Sequence, residues 1–137
     1  MTNVDHLSAN KALVRAHYDA VTNHHDPDAI RAQVAPEFFD HASGKAFTAD
    51  EVIAHSLMLH ATFGEFSVEI EALIAEADLV AARVIWRGIH RGPWRGIAPT
   101  GTRVSFRGMT FWRIRDGKIT DRWAEVDFPA LEAQLRA

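Results

Sequence analysis

The chain has 137 residues, is 47% apolar and 24% charged, and carries a formal net charge of −3. This fits one globular domain over residues 1–137 and excludes a disordered chain or a basic surface for nucleic acid. It holds no cysteine, which excludes disulfides, thiolate metal sites and cysteine nucleophiles and agrees with the expected cytoplasmic location. No apolar run approaches the ~20 residues of a membrane span, and the start, MTNVDHLSAN, lacks the basic and apolar regions of a secretion signal.

Residues 8–23 read as a helix, with Ser8 as N-cap and Leu13, Val14, His17, Tyr18 and Val21 on one face. Asp26-Pro27 reads as a cap and first-turn proline, opening a short helix through Val34 that Pro36 ends. Phe38 and Phe39 lead into a short extended piece, Asp40-His41, and a Ser43-Gly44 turn. Thr48 to Glu51 is a capping box for a helix to about His60, striped by Val52, Ile53, Ser56, Leu57 and His60 and left at Gly64. The period then changes to two: Val68, Ile70, Ala72 and Ile74 alternate with Glu69 and Glu71. A turn at 76–78 leads into a strand from Leu79 to His90, and Gly92-Pro93 and Pro99-Thr100-Gly101 punctuate a longer connection. Two further strands flank Asp116-Gly117, the second ending in Trp123, Glu125 and Asp127 before a short amphipathic segment.

Helices grouped before an antiparallel meander mean α+β: a curved antiparallel sheet with helices packed on its concave face, forming a cone-shaped pocket. Both faces of the last hairpin are apolar, with Trp112 and Ile114 on one and Phe111, Ile119 and Trp123 on the other. One face packs on the helices, so the other predicts a homodimer joined through the outer side of the sheet.

Three stretches resemble the SnoaL-like polyketide cyclases, of the cystatin-like cone-roll superfamily that also holds ketosteroid isomerases and limonene epoxide hydrolases. They are Asn10 to Val14 with Pro36 to His41, Arg87 to Gly92 with Gly96 to Gly101, and Asp116 to Trp123 with Leu131 to Leu135. The resemblance implies the fold, a dimer, and ring closure by aldol condensation without a cofactor. The family uses an Asp on the last strand, a His on the strand before it and an Asn after the second helix. Matched by the Asp116-Gly117-Lys118-Ile119 turn, these positions fall on Ala124, Thr110 and Asp40. Ala124 cannot move a proton, so the fold is expected and the cyclase chemistry is altered.

Asp40 puts a carboxylate where the family's pocket has an amide, and is the first candidate acid or base; the bland alternative is a turn Asp bonding nearby backbone. His90 shares strand parity with Val80, Val84 and Trp86, and is the second candidate unless it is a core histidine. Tyr18, Met58, Phe63, Trp86, Thr110, Trp112 and Ala124 are expected around a flat apolar ligand, or as plain core. His41 must point away from Asp40 in a regular strand. A three-residue loop with Gly117 in the left-handed region puts Thr110, Trp112 and Ala124 on one face and Glu125 away; a two-residue loop reverses this. The first is preferred because it joins the two family positions. Asp127 closes the strand or caps the following helix. Arg107, Arg113 and Arg122 read as pairing with acids across the hairpin.

No metal site is expected: His24-His25 and His55 with His60 lack the i, i+4 spacing of helical ligands, and no phosphate loop or GxSxG elbow is present. The expected function is cofactor-independent acid–base chemistry, cyclisation or isomerisation beside a carbonyl, on a small apolar organic ligand. Epoxide opening or dehydration in the same pocket, and a non-catalytic binding or assembly domain, are the alternatives. Neither nucleic acid nor a membrane is expected as a partner.

Overall fold

Helix α1 (Asn3–Tyr18) places Val14, His17 and Tyr18 on its buried side. A computed structural model describes residues 3–137; Met1 and Thr2, at the start of the segment read for a secretion signal, lie outside it. The helix begins five residues before Ser8, the expected N-cap, with Asp5 in its first turn where an acid suits the helix dipole. After Tyr18 it widens into a π-helical segment, Asp19–Asn23. Such insertions disturb the regular ladder.

Asp26 caps α2 (Pro27–Gln33), accepting from the Ala29 N–H at 3.2 Å. Pro36 does not end a helix, as expected, but lies within β1 (Val34–Asp40). It is tolerated there because β1 is registered against its neighbour only at Val34 and again at Phe39 and Asp40. A turn leads to β2 (Lys45–Phe47), and the capping box of Thr48 and Glu51 opens α3 (Ala49–Thr62). α3 is fastened to the π-helical segment: the Val21 carbonyl accepts from Ser56 Oγ at 2.8 Å and from His60 Nε2 at 3.0 Å.

The meander follows as β3 (Phe63–Glu76), β4 (Leu79–His90), β5 (Arg103–Arg115) and β6 (Lys118–Val126), and α4 (Phe128–Arg136) closes the chain. The curved, unclosed sheet has six strands in the order β2-β1-β6-β5-β4-β3. β1 joins β6 in parallel and the other pairings are antiparallel. Among the described residues no helix is long and apolar enough to cross a membrane.

The turn between β5 and β6 differs from the expected three-residue loop. Asp116 and Gly117, at φ 51° and 72°, form a two-residue turn, and Arg115 pairs with Lys118. Mirror-image turns of this kind match the strand twist. The register then shifts: Ile114 pairs with Ile119 and Arg113 with Asp121, leaving Thr120 without a partner as a β-bulge. Ile119 is thereby fully buried rather than outward, and Thr110 pairs with Ala124 and Trp112 with Arg122. Thr110 and Ala124 share a face, but the bulge joins them and the loop does not.

Along β5, Val104, Phe106, Thr110, Trp112 and Ile114 are buried, with Gly108 at the same parity. A Cβ at Gly108 would lie 2.5 Å from the Trp86 ring, so only glycine lets that indole lie across the strand against Phe106. On the opposite face, Met109, Phe111 and Ile74 are 61%, 49% and 67% exposed. Glu71 there lies 3.7 Å from Arg83 and 3.6 Å from Arg107.

Candidate functional site

Between the concave face and the helices lies a cavity of about 250 Å³. Its walls are mostly apolar, with Phe38, Leu59, Phe63, Phe66, Trp86 and Phe106 prominent. Val52, His55 and Leu59 reach it from α3 at helical spacing, Asp40 from the end of β1, Arg122 from β6, and His17 and Tyr18 from α1. Trp94 and Phe128 also line the wall, and the Arg95 guanidinium lies 4.7 and 4.1 Å from their ring centroids.

Two polar clusters face this cavity. In the more open one, Arg122 Nη1 donates to Asp40 Oδ1 at 3.2 Å. Asp40 also accepts from the Ala42 N–H at 3.1 Å and from Ser43 Oγ at 3.2 Å, so the turn-capping reading of this residue and its place at the cavity both hold geometrically. His55 borders this cluster from the exposed side of α3, and its pKa is lowered first by desolvation and then by the Arg122 charge, with Asp40 opposing. It is therefore neutral near pH 7. The second cluster is buried. His17 Nδ1 donates to Gln33 Oε1 at 2.8 Å, and Tyr18 Oη lies 2.8 Å from Thr110 Oγ1. Burial pushes the His17 pKa down to about 4, with the Gln33 hydrogen bond opposing and Arg122 adding to it. Burial also raises the Tyr18 pKa, against its bond to Thr110, so the phenol stays protonated.

Of the residues singled out in the sequence, Asp40, Tyr18, Phe63, Trp86 and Trp112 line the cavity. His90 does not. It has the inward parity of Trp86 but ends β4, where the 91–102 connection folds over it, and its Nδ1 accepts from the Thr100 N–H at 3.2 Å. Met58 is 47% exposed, one position off the stripe of α3 that faces inward. Thr110 stands behind the wall, holding Tyr18 and the Trp112 indole, and Ala124 beside it is half-buried without lining the cavity. Glu125 pairs with Met109 on the outer face. His41 lies outside, 2.9 Å from Asp121 and stacked on Trp123 at 4.3 Å between centroids. Asp127 caps α4, accepting from Ala130 N–H at 3.1 Å.

His17, His55 and Arg122 were missed in the sequence. His17 was visible as a polar residue on an apolar helix face, but it read as packing. Arg122 read as a cross-hairpin ion pair, and only the bulge at Thr120 turns it toward Asp40.

The family model for SnoaL-like polyketide cyclase matches residues 12–135. The chain belongs to that family. Solved structures resemble this SnoaL-like protein over nearly its whole length. TsrD from Streptomyces laurentii is 25% identical with a TM-score of 0.85, covering 93% of this chain and 95% of its own. AclR from Streptomyces galilaeus, a candidate hydroxylase, is 25% identical with a TM-score of 0.83, covering 95% of this chain and 86% of its own. A SnoaL-like polyketide cyclase from Agrobacterium tumefaciens, 23% identical with a TM-score of 0.81 over 92% of this chain and 97% of its own, shares the fold. Among curated proteins no sequence match is found.

The lowered His17 pKa gives this SnoaL-like protein a defined acid response. The unfolded chain takes up this proton near 6.5 and the folded one only near about 4. Stability from this group is full above pH 6.5, falls as the pH drops toward 4, and amounts to roughly 3 kcal/mol by the usual conversion. In an NMR titration the His17 Cε1–H resonance should turn near pH 4; a midpoint near 6.5 would contradict its burial as a neutral ring.

Proposed function

We propose that this SnoaL-like protein is a cofactor-independent enzyme that moves a proton at a carbon next to a carbonyl, in a cyclisation or isomerisation of a small, largely apolar ligand. One observation carries this reading: Asp40 and Arg122 stand in hydrogen-bond contact on the wall of a mostly apolar cavity. Two ionisable groups within reach of one ligand atom are the expected signature of acid–base chemistry.

In this reading the ligand's carbonyl oxygen sits against the Arg122 guanidinium, which has further N–H donors beyond the one given to Asp40. Asp40 removes the proton from the neighbouring carbon. The C–H electron pair becomes the enolate double bond, and the negative charge settles on the oxygen held by Arg122. The enolate then attacks a second carbonyl, or takes the proton back at another carbon. Neutral His55 replaces His90 as the second proton carrier. On the match by the Asp116-Gly117 turn, Ala124 stands where the family keeps its acid. Asp40 on the adjacent strand, paired in register with Arg122, supplies that function from across the same wall. The competing reading, a binding domain without chemistry, draws on the three hydrogen bonds that Asp40 already accepts.

Asp40→Asn keeps the shape and removes the base. With aryl 1,3-diketones in D₂O, deuterium uptake at the α-carbon should fall ~10²–10⁴-fold, while ligand affinity and melting temperature stay near those of the wild type. Wild-type exchange in Asp40→Asn would overturn the assignment, and an exchange-dead but folded Glu125→Gln would move the chemistry to the outer face.

We also propose that a second copy of the chain covers the outer face of the sheet. Exposed Met109, Phe111 and Ile74 lie there among charges of both signs, Arg83, Arg107, Glu71 and Glu125, which a twofold axis can pair with themselves. Light scattering at micromolar concentration should give twice the 15.3 kDa chain mass, and Phe111→Asp should return the single-chain mass. A wild-type mass of one chain would refute the dimer.

A further inference from the structure

The buried cluster at the cavity takes no part in the chemistry described above. The Trp112 indole donates from Nε1 to Thr110 Oγ1 at 2.9 Å, and Thr110 Oγ1 meets Tyr18 Oη at 2.8 Å. These groups hold three hydrogens and two oxygens. The indole hydrogen goes to Thr110, and one hydroxyl hydrogen closes the contact between Thr110 and Tyr18. One hydroxyl hydrogen is left over.

Burial decides which one. If Tyr18 donated to Thr110, the spare hydrogen would belong to Thr110, which is 1% exposed and has no other acceptor among the described residues. A buried donor without an acceptor costs more than one such bond contributes. If Thr110 donates to Tyr18, the spare hydrogen is on the phenol, and Tyr18 lines the cavity. The donors therefore run from Trp112 through Thr110 to Tyr18 and end in the cavity.

The neighbouring residue supplies the opposite capacity. His17 gives its Nδ1–H to Gln33, so its ring offers the lone pair of Nε2, and it too lines the cavity. The rings of His17 and Tyr18 both meet the Trp112 indole edge-on, at 5.3 and 5.4 Å between centroids, and all three residues line the cavity. A donor and an acceptor, both uncharged, thus line the cavity and pack against the same indole.

We propose that this end of the cavity is a subsite for a neutral hydroxyl group on an aromatic ring of the ligand. The hydroxyl oxygen accepts from Tyr18 Oη and its hydrogen goes to His17 Nε2. A ketone or ether satisfies only Tyr18. A phenolate or carboxylate brings a negative charge against the His17 lone pair and leaves it without a donor. The subsite rests on the reading of the cavity as a ligand site, and not on the chemistry at Asp40.

The test uses 2-naphthol, 2-methoxynaphthalene and naphthalene, titrated calorimetrically into the full chain at pH 7. 2-Naphthol should bind about three- to tenfold more tightly than its methyl ether, the range of one neutral hydrogen bond. Tyr18→Phe should remove the advantage of the ether over naphthalene. Because that variant strands the Thr110 hydrogen, the wild type gives a second readout: the ¹⁵N resonance of His17 Nε2 should move upfield with 2-naphthol and stay still with the ether. Equal affinity for all three probes, with Nε2 unmoved, overturns the hydroxyl subsite and leaves the ligand-site reading standing. Binding of none of them overturns both. Retained 2-naphthol preference in an Asp40→Asn protein with wild-type deuterium exchange sinks only the chemistry assigned to Asp40.

Discussion

One unpaired residue in β6, Thr120, governs which side chains meet the cavity. Strand residues alternate between faces, so a one-residue slip moves every later side chain to the other side. Before the bulge Ile119 points into the core, and after it Arg122, Ala124 and Val126 do so while Trp123 and Glu125 point out. The Thr120 hydroxyl lies 3.3 Å from the Arg113 carbonyl and 2.7 Å from Asp121 Oδ1, giving the interrupted ladder local partners. Without the bulge, Arg122 would join the outer charged face, and Asp40 would face the cavity without a cation.

The helices are set against the sheet by a few buried polar contacts as well as by apolar packing. Tyr18 bonds to Thr110, His17 to Gln33, and the Val21 carbonyl to Ser56 and His60. Each bond contributes modestly, but a broken one leaves a buried group unsatisfied, so together they fix how α1 and α3 seat on the sheet. This keeps a cavity open where a small domain would otherwise collapse. The cost is a neutral histidine that resists protonation until about pH 4.

The change of period from 3.6 to 2, the capping box at Thr48 and the turn at Asp116-Gly117 made the α+β order legible in the sequence. Helices grouped before a curved meander already implied the cavity, and the family resemblance agreed with it. Strand parity puts Trp86 and Trp112 on the inward face where the structure has them, because alternation survives wherever the ladder is regular. It failed where the ladder ends or slips. His90 has the right parity but lies past the cavity, and Ile119 faces outward only in the three-residue loop, whereas the turn has two residues and a later bulge, unmarked in composition, brings Thr110 opposite Ala124. His17, His55 and Arg122 escaped for a related reason: a histidine on a helix and an arginine in a hairpin are ordinary in sequence, and become site residues only when distant elements bring a shared cavity to them.

Because the chain has no cysteine, a single introduced thiol reports one position at a time. Arg122→Cys and Glu125→Cys differ in face, and maleimide labelling with and without saturating 2-naphthol separates them. The expected result is slow labelling at position 122 that the ligand slows further, and fast labelling at 125 that the ligand leaves unchanged. Fast, unprotected labelling at 122 with ligand protection at 125 would contradict the bulged register and the cavity built on it.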